Sequence, residues 1–236
     1  MDPLSLTMAW LTDPAHWTGP NGIPNRLFEH IALSAISLLL AVVIGFPVGA
    51  WIGHTGRAVA LAVNSANLWR ALPSLAVIAI VLPITAALDP QAGFKLYPTV
   101  VAMIVLAVPP ILVNTYTGVA GVDRDLLEAA RGQGMDERRI FSGVELPLAV
   151  PVVVTGIRSG AVQIVATATL GAIFGFGGLG RYLVDGIAQR DLGQVLSGTL
   201  LVAALVIVIE LLFAMLQRAL TPRALRLERS ARPAGA

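Results

Sequence analysis

A chain of 236 residues that is 56% hydrophobic and only 13% charged is too apolar for a water-soluble domain, where about a quarter of residues carry charge. The absence of cysteine excludes disulfides and thiolate metal sites. A formal net charge of +2 reflects a small arginine excess rather than a basic face for nucleic acid. His16, His30 and His54 show no ligand spacing, so the composition predicts an all-α integral membrane protein without a metal site.

Residues 1–26 carry four prolines, with Trp10 and Trp17, and no apolar run long enough to span. They lack the basic stretch and apolar core of a cleavable signal and are expected as an extracytoplasmic segment. The two tryptophans would sit at the membrane interface or against the protein's outer face. The membrane domain is expected over residues 27–217. Its first span is the uncharged run Ile31–Gly53, with Gly45, Pro47 and Gly49 in its second half. Residues 58–70 mix small apolar residues with Asn64, Asn67, Trp69 and Arg70, as in a helix that enters from an interface. A second span follows over 72–88, through Pro83, and a third over 96–119, with Pro109-Pro110 near its middle. A polar island occupies about 123–146. The fourth span runs from Pro147 to about Phe174, followed by a glycine-rich loop and a short amphipathic piece to Leu192. The fifth covers about Val195–Leu216, and residues 218–236 form a basic tail.

Five spans put the two termini on opposite sides. The side holding Arg57, the polar island and the tail has ten arginines, whereas the other has Arg26, Lys95, Arg181 and Arg190. By the positive-inside rule the first side is cytoplasmic, with the N-terminus out and the C-terminus in.

The polar island has six acidic and four basic residues between Asp123 and Glu145. Its pattern predicts two short helices around a glycine. Asp125 with Glu128 forms a capping box for the first, and Asp136 caps the second, with Met135 and Ile140 as a hydrophobic staple. Gly132 and Gly134 end the first helix, and Pro147 suits the first turn of the next span. Glu128, Ala129, Ala130, Gly134, Val144, Leu146 and Pro147 together fit the EAA loop that this stretch resembles, that of binding-protein-dependent ABC importer permeases; Val144 stands where isoleucine is commoner. The resemblance implies a type I, MetI-like permease whose loop docks on a separate ATPase from the cytoplasmic side. Ala129 and Ala130 are expected to face that partner as a low-relief surface.

The single lysine, Lys95, belongs to no Walker A loop, so nucleotide and its magnesium would sit on the partner ATPase and no cofactor on this chain. Gly175–Gly180 does fit G-x-G-x-x-G, but a long apolar helix precedes it instead of a strand, and no acidic residue follows at ribose-binding distance. It is read as a flexible link. The stretch Ile157–Gly180, with Phe176 where alanine is usual, resembles glycine betaine, carnitine and choline permeases. So do His30–Gly53, Arg70–Ile84 and Asn114–Gly118, and the likeness covers about Leu27–Leu216.

That resemblance implies an osmoprotectant importer (glycine betaine, carnitine, choline or proline) in a bacterial cytoplasmic membrane. Its partners would be ATPase subunits, a second permease copy or sister permease, and an extracytoplasmic binding protein. A permease for another small solute, such as methionine, is one alternative. The other, an ion-gradient-driven secondary transporter, needs intramembrane carboxylates, and Glu210 alone qualifies. Arg158, Ser159, Gln163, Thr167, Asn114 and Glu210 are candidates for lining a pathway or bonding between helices, with Ser159, Gln163 and Thr167 spaced to share a helix face. Arg70 at the start of the second span reads as a snorkelling residue. No catalytic constellation is present.

Overall fold

The computed structural model describes residues 2–221, the side chain of Arg70 excepted. Most of the basic tail therefore lies outside the described residues, as does the side-chain role expected of Arg70. The described chain is helical: α1 (Pro3–Thr12), α2 (Ile23–Thr55), α3 (Val59–Ala71), α4 (Ser74–Leu88), α5 (Ala92–Lys95), α6 (Tyr97–Ala120), α7 (Arg124–Gly132), α8 (Glu137–Ile140), α9 (Leu146–Ala168), α10 (Gly180–Gln189) and α11 (Leu192–Leu220). Four helical stretches are long and apolar enough to cross a membrane. A fifth span results if α3 and α4, bent by 95° at Leu72-Pro73, count as one. On that count the expected interfacial helix and second span are two arms of one element, broken where Pro73 cannot continue the helix before it.

The α6 helix lies at the centre, packed on α2 and α9. Leu33, Met103, Ala107, Ile111 and Ile164 form the buried core between them. Close approach depends on small residues, because dispersion and backbone proximity rather than a hydrophobic driving force hold helices together in lipid. A methyl group on Gly49 would lie 2.5 Å from the Leu112 carbonyl and 2.9 Å from Thr115 Cβ. On the other flank, a methyl on Gly156 would meet Asn114 Cβ at 2.6 Å and the Pro110 carbonyl at 2.8 Å.

The outward face of α2 is apolar throughout: Ile36, Leu39, Leu40, Val43, Ile44, Val48 and Trp51 are all exposed. That is the face of a helix set against lipid. At 33 residues α2 is about 50 Å long, whereas the 15 residues of α4 reach only about 22 Å.

The N-terminal segment packs on the end of the bundle. Trp10 is buried, stacked on His16 with ring centroids 4.0 Å apart and edge-on to Tyr182 at 5.1 Å. Trp17 stays exposed, its indole N–H donating to the Leu11 carbonyl at 2.7 Å. The Tyr182 hydroxyl donates to the Asn21 carbonyl at 2.8 Å, and burial pushes its pKa up to about 12. Of the two placements open to the tryptophans, Trp10 takes packing against the protein.

Candidate functional site

The hairpin between α6 and α9 is built from local signals. Asp123, two residues earlier than the expected Asp125, caps α7, its carboxylate accepting from the Asp125 N–H at 2.9 Å. Asp125 instead lies in the first turn, where its charge favours the helix dipole. Gly134 takes φ +83°, a conformation that costs other residues about 1–2 kcal/mol, and the chain turns there. Asp136 caps α8 as expected, accepting from the Arg139 N–H at 2.8 Å. A π-helical turn, Phe141–Glu145, then leads into α9.

The hairpin's two arms are tied by Arg131, whose Nε and Nη2 donate to the two Glu137 oxygens at 2.9 and 3.3 Å. That hydrogen bonding holds the Glu137 carboxyl below its ordinary range and lifts the Arg131 guanidinium. Glu128, Ala129, Gly134 and Pro147 are exposed, and Val144 and Leu146 are half-buried. Ala130 is only 7% exposed: the chain itself covers it, so a low-relief docking surface would comprise Ala129 without Ala130.

One contact was invisible in the sequence. Glu145, buried within the motif, meets His54 at the end of α2, with Oε2 2.6 Å from Nδ1. The other ring nitrogen of His54 lies 3.9 Å from Glu137, and Phe141 packs edge-on against the ring. The hairpin is thereby fastened to the first span. The available signal was a lone carboxylate in Val-Glu-Leu-Pro, because an apolar setting obliges a buried charge to find a partner.

A second site lies across α4, α6, α9 and α11. One cleft of about 350 Å³ is lined by Ser74, Asn114, Ser159 and Gln163 among others. A second, of about 550 Å³, shares Ser159 and Gln163 and adds Thr155, Arg158 and Glu210. Ser159 and Gln163 line both, so the two clefts adjoin along one polar groove of α9. Arg158 Nη2 donates to Glu210 Oε1. The two residues lie twelve positions after Leu146 and ten before Leu220, so antiparallel α9 and α11 carry them to matching depths of about 15–18 Å. Thr167 keeps to the Gln163 side of α9, where Gln163 Nε2 donates to its hydroxyl at 3.5 Å, but it is 3% exposed and lines neither cleft.

The glycine loop is pinned rather than flexible. Glu29 Oε2 accepts the Gly178 N–H at 2.7 Å and the Arg26 guanidinium at 2.8 Å. A methyl group on Gly177 would overlap the Glu29 carboxylate. The amide that a phosphate would need in a dinucleotide loop is already given to a carboxylate of the same chain. Phe176, at the position usually held by alanine, packs against the α2–α6–α9 core.

Residues 41–226 match the family described as binding-protein-dependent transport system inner membrane component. The chain belongs to that family. The permease is 36% identical over 197 residues to the choline transport system permease protein OpuBB of Bacillus subtilis, covering 84% of this chain and 88% of that one. It is 33% identical over 216 residues to the osmoprotectant import permease protein OsmW of Salmonella typhimurium, covering 91% of this chain and 100% of that one. Among solved structures, a chain of the inward-facing MetNI methionine ABC transporter superposes with a TM-score of 0.73 at 24% identity, over 89% of this chain and 100% of that one. That likeness establishes the MetI-like fold. The permease is therefore a multi-pass membrane subunit of an ABC importer.

Proposed function

We propose that the permease carries a small osmoprotectant, such as glycine betaine, carnitine, choline or proline, across a bacterial cytoplasmic membrane, driven by a separate ATPase. The similarity to osmoprotectant and choline permeases over more than four-fifths of the chain carries the reading. Two copies, or one copy and a sister permease, would face each other across the polar groove, and a loaded binding protein would dock on the opposite side from the hairpin. ATPase closure would move the hairpin through Glu128, Ala129, Gly134, Val144, Leu146 and Pro147, with Ala130 packed behind them, and the His54–Glu145 contact would pass that motion to α2. The groove residues Arg158, Ser159, Gln163, Asn114 and Glu210 would line the pathway, with Thr167 as a packing residue behind it. Arginine asymmetry supports an outside N-terminus and an inside C-terminus.

On this reading the chain performs no covalent chemistry and binds no cofactor; ATP and magnesium belong to the ATPase. A coupling-ion site usually needs several intramembrane carboxylates, and Glu210 is a lone candidate, which weighs against a secondary transporter. The test is ATP-dependent uptake by proteoliposomes holding the permease, its ATPase and its binding protein. Labelled glycine betaine, choline, carnitine or proline should accumulate. Accumulation of methionine alone would overturn the substrate assignment, and accumulation without ATP would overturn the importer mechanism.

A further inference from the structure

We propose that Arg158 and Glu210 form a transient binding site for a zwitterionic solute, the guanidinium receiving its carboxylate and Glu210 its quaternary cation. The inference rests on the osmoprotectant reading above and adds a position and a charge rule to it.

Location supplies the first argument. An isolated charge at mid-membrane is costly, and charges found there face a protein interior or a water-filled cavity. The outward face of α2 has none. Arg158 and Glu210 instead open on the groove that holds Ser159 and Gln163.

Incomplete pairing supplies the second. The side chains remain 29% and 39% exposed. Their one hydrogen bond joins Nη2 to Oε1. Among the described residues, Nε and Nη1 of Arg158 and Oε2 of Glu210 have no other hydrogen-bond partner. A pair that served packing alone would bring its remaining donors and acceptors to protein partners, because unsatisfied charged groups are expensive in a low dielectric. Here they are left for something in the groove.

The chemistry of that occupant follows from charge balance. A zwitterion inserted between the two side chains exchanges one ion pair for two and leaves no net charge. A solute bearing only a cation satisfies Glu210 and strips Arg158 of its partner. Among the described residues no aromatic side chain lines either cleft, so they offer no cage to hold a quaternary ammonium tightly. Weak binding suits a pathway, where a solute must leave as readily as it arrives.

The experiment compares uptake of glycine betaine, which has a carboxylate, with choline, which has none. It uses proteoliposomes of the complete transporter carrying wild type, Arg158→Gln, or Arg158→Gln with Glu210→Gln. The double variant removes both charges and so avoids an orphan in the membrane; copurified ATPase reports assembly. Betaine uptake should fall about tenfold or more relative to choline uptake in both variants, the worth of one charge-assisted contact. Wild-type carriage of betaine without choline would also support the site. An equal fall for both solutes, or failure of both variants to assemble, makes the pair a packing element and overturns the proposal. Wild-type carriage of choline without betaine overturns the zwitterion assignment while leaving the osmoprotectant reading standing. Carriage of neither overturns both.

Discussion

The hairpin before α9 and the glycine loop after it are both polar, glycine-marked breaks between apolar helices, and the structure treats them in opposite ways. In the loop, Gly177 and Gly178 lie against Glu29, Arg26 and His30, with backbone hydrogen bonding absorbed by the chain's own side chains. In the hairpin, Gly132 and Gly134 have nothing within 4 Å of an added methyl. Its charged residues remain mostly exposed, while the His54–Glu145 contact and the packing of Phe141 on Val119, Ala149 and Val153 fasten it to the bundle. Gly177 in the loop serves packing, whereas Gly134 in the hairpin serves backbone geometry, as Gly175 and Gly178 also do at φ +84° and +79°. The difference separates a segment packed against its own chain from one whose Gly132 and Gly134 face open space.

Substitutions can break that contrast at four points. The largest effect is expected from Gly177→Val, which drives the Glu29 carboxylate off the Gly178 amide. Overpacking and an orphaned amide together should cost about 3 kcal/mol or more, read as a lower unfolding temperature in detergent. An unchanged midpoint would mean that the loop is as loose as the hairpin. Next comes His54→Ala, which leaves buried Glu145 without its partner at a cost of about 1–3 kcal/mol. Faster amide hydrogen exchange confined to Phe141–Leu146 is the expected result, and unaltered exchange would show that the hairpin is fastened elsewhere.

Gly134→Val should strain the turn by about 1–2 kcal/mol while leaving membrane insertion intact, because insertion depends on the spans. The amount of ATPase copurified should fall about tenfold, the equivalent of some 1.4 kcal/mol; normal copurification would reduce the hairpin to a connector. The smallest change is Gly132→Ala. Its backbone is not left-handed and its surroundings are open, so the variant should be neutral or more stable by about 0.5–1 kcal/mol. A clear loss of ATPase binding there would show that the partner itself approaches Gly132.

What the sequence made legible was local. The spans followed from unbroken apolar runs, the Asp136 cap from its position before a short helix, and the turn from Gly134, whose φ of +83° few other residues tolerate. The α7 cap moved from Asp125 to Asp123 because two acidic residues two apart offer the same chemistry and only the entering backbone chooses between them. Spacing placed Thr167 on the Gln163 side of α9, where the two hydrogen-bond, but it could not show how deeply Thr167 is buried. The contacts that distinguish the loop from the hairpin were not legible at all: Glu29 meets Gly178 across 149 residues and His54 meets Glu145 across 91. No periodicity encodes such a meeting. Arg158 and Glu210 were each visible as costly intramembrane charges, and their equal depth on antiparallel helices is the arithmetic that joins them.

The unequal lengths of α2 and α4 have a consequence for the surrounding lipid. A hydrocarbon layer about 30 Å thick is nearly matched by the uncharged run Ile31–Gly53 of α2, about 34 Å long, and underreached by α4, so the subunit presents hydrophobic mismatch on one flank. Beside α4 the bilayer must thin or draw the elbow at Pro73 inward, at a fraction of a kcal/mol per ångström. The annulus is then not uniform. Acyl-chain length becomes a variable to which the broken element responds more than the rest of the bundle.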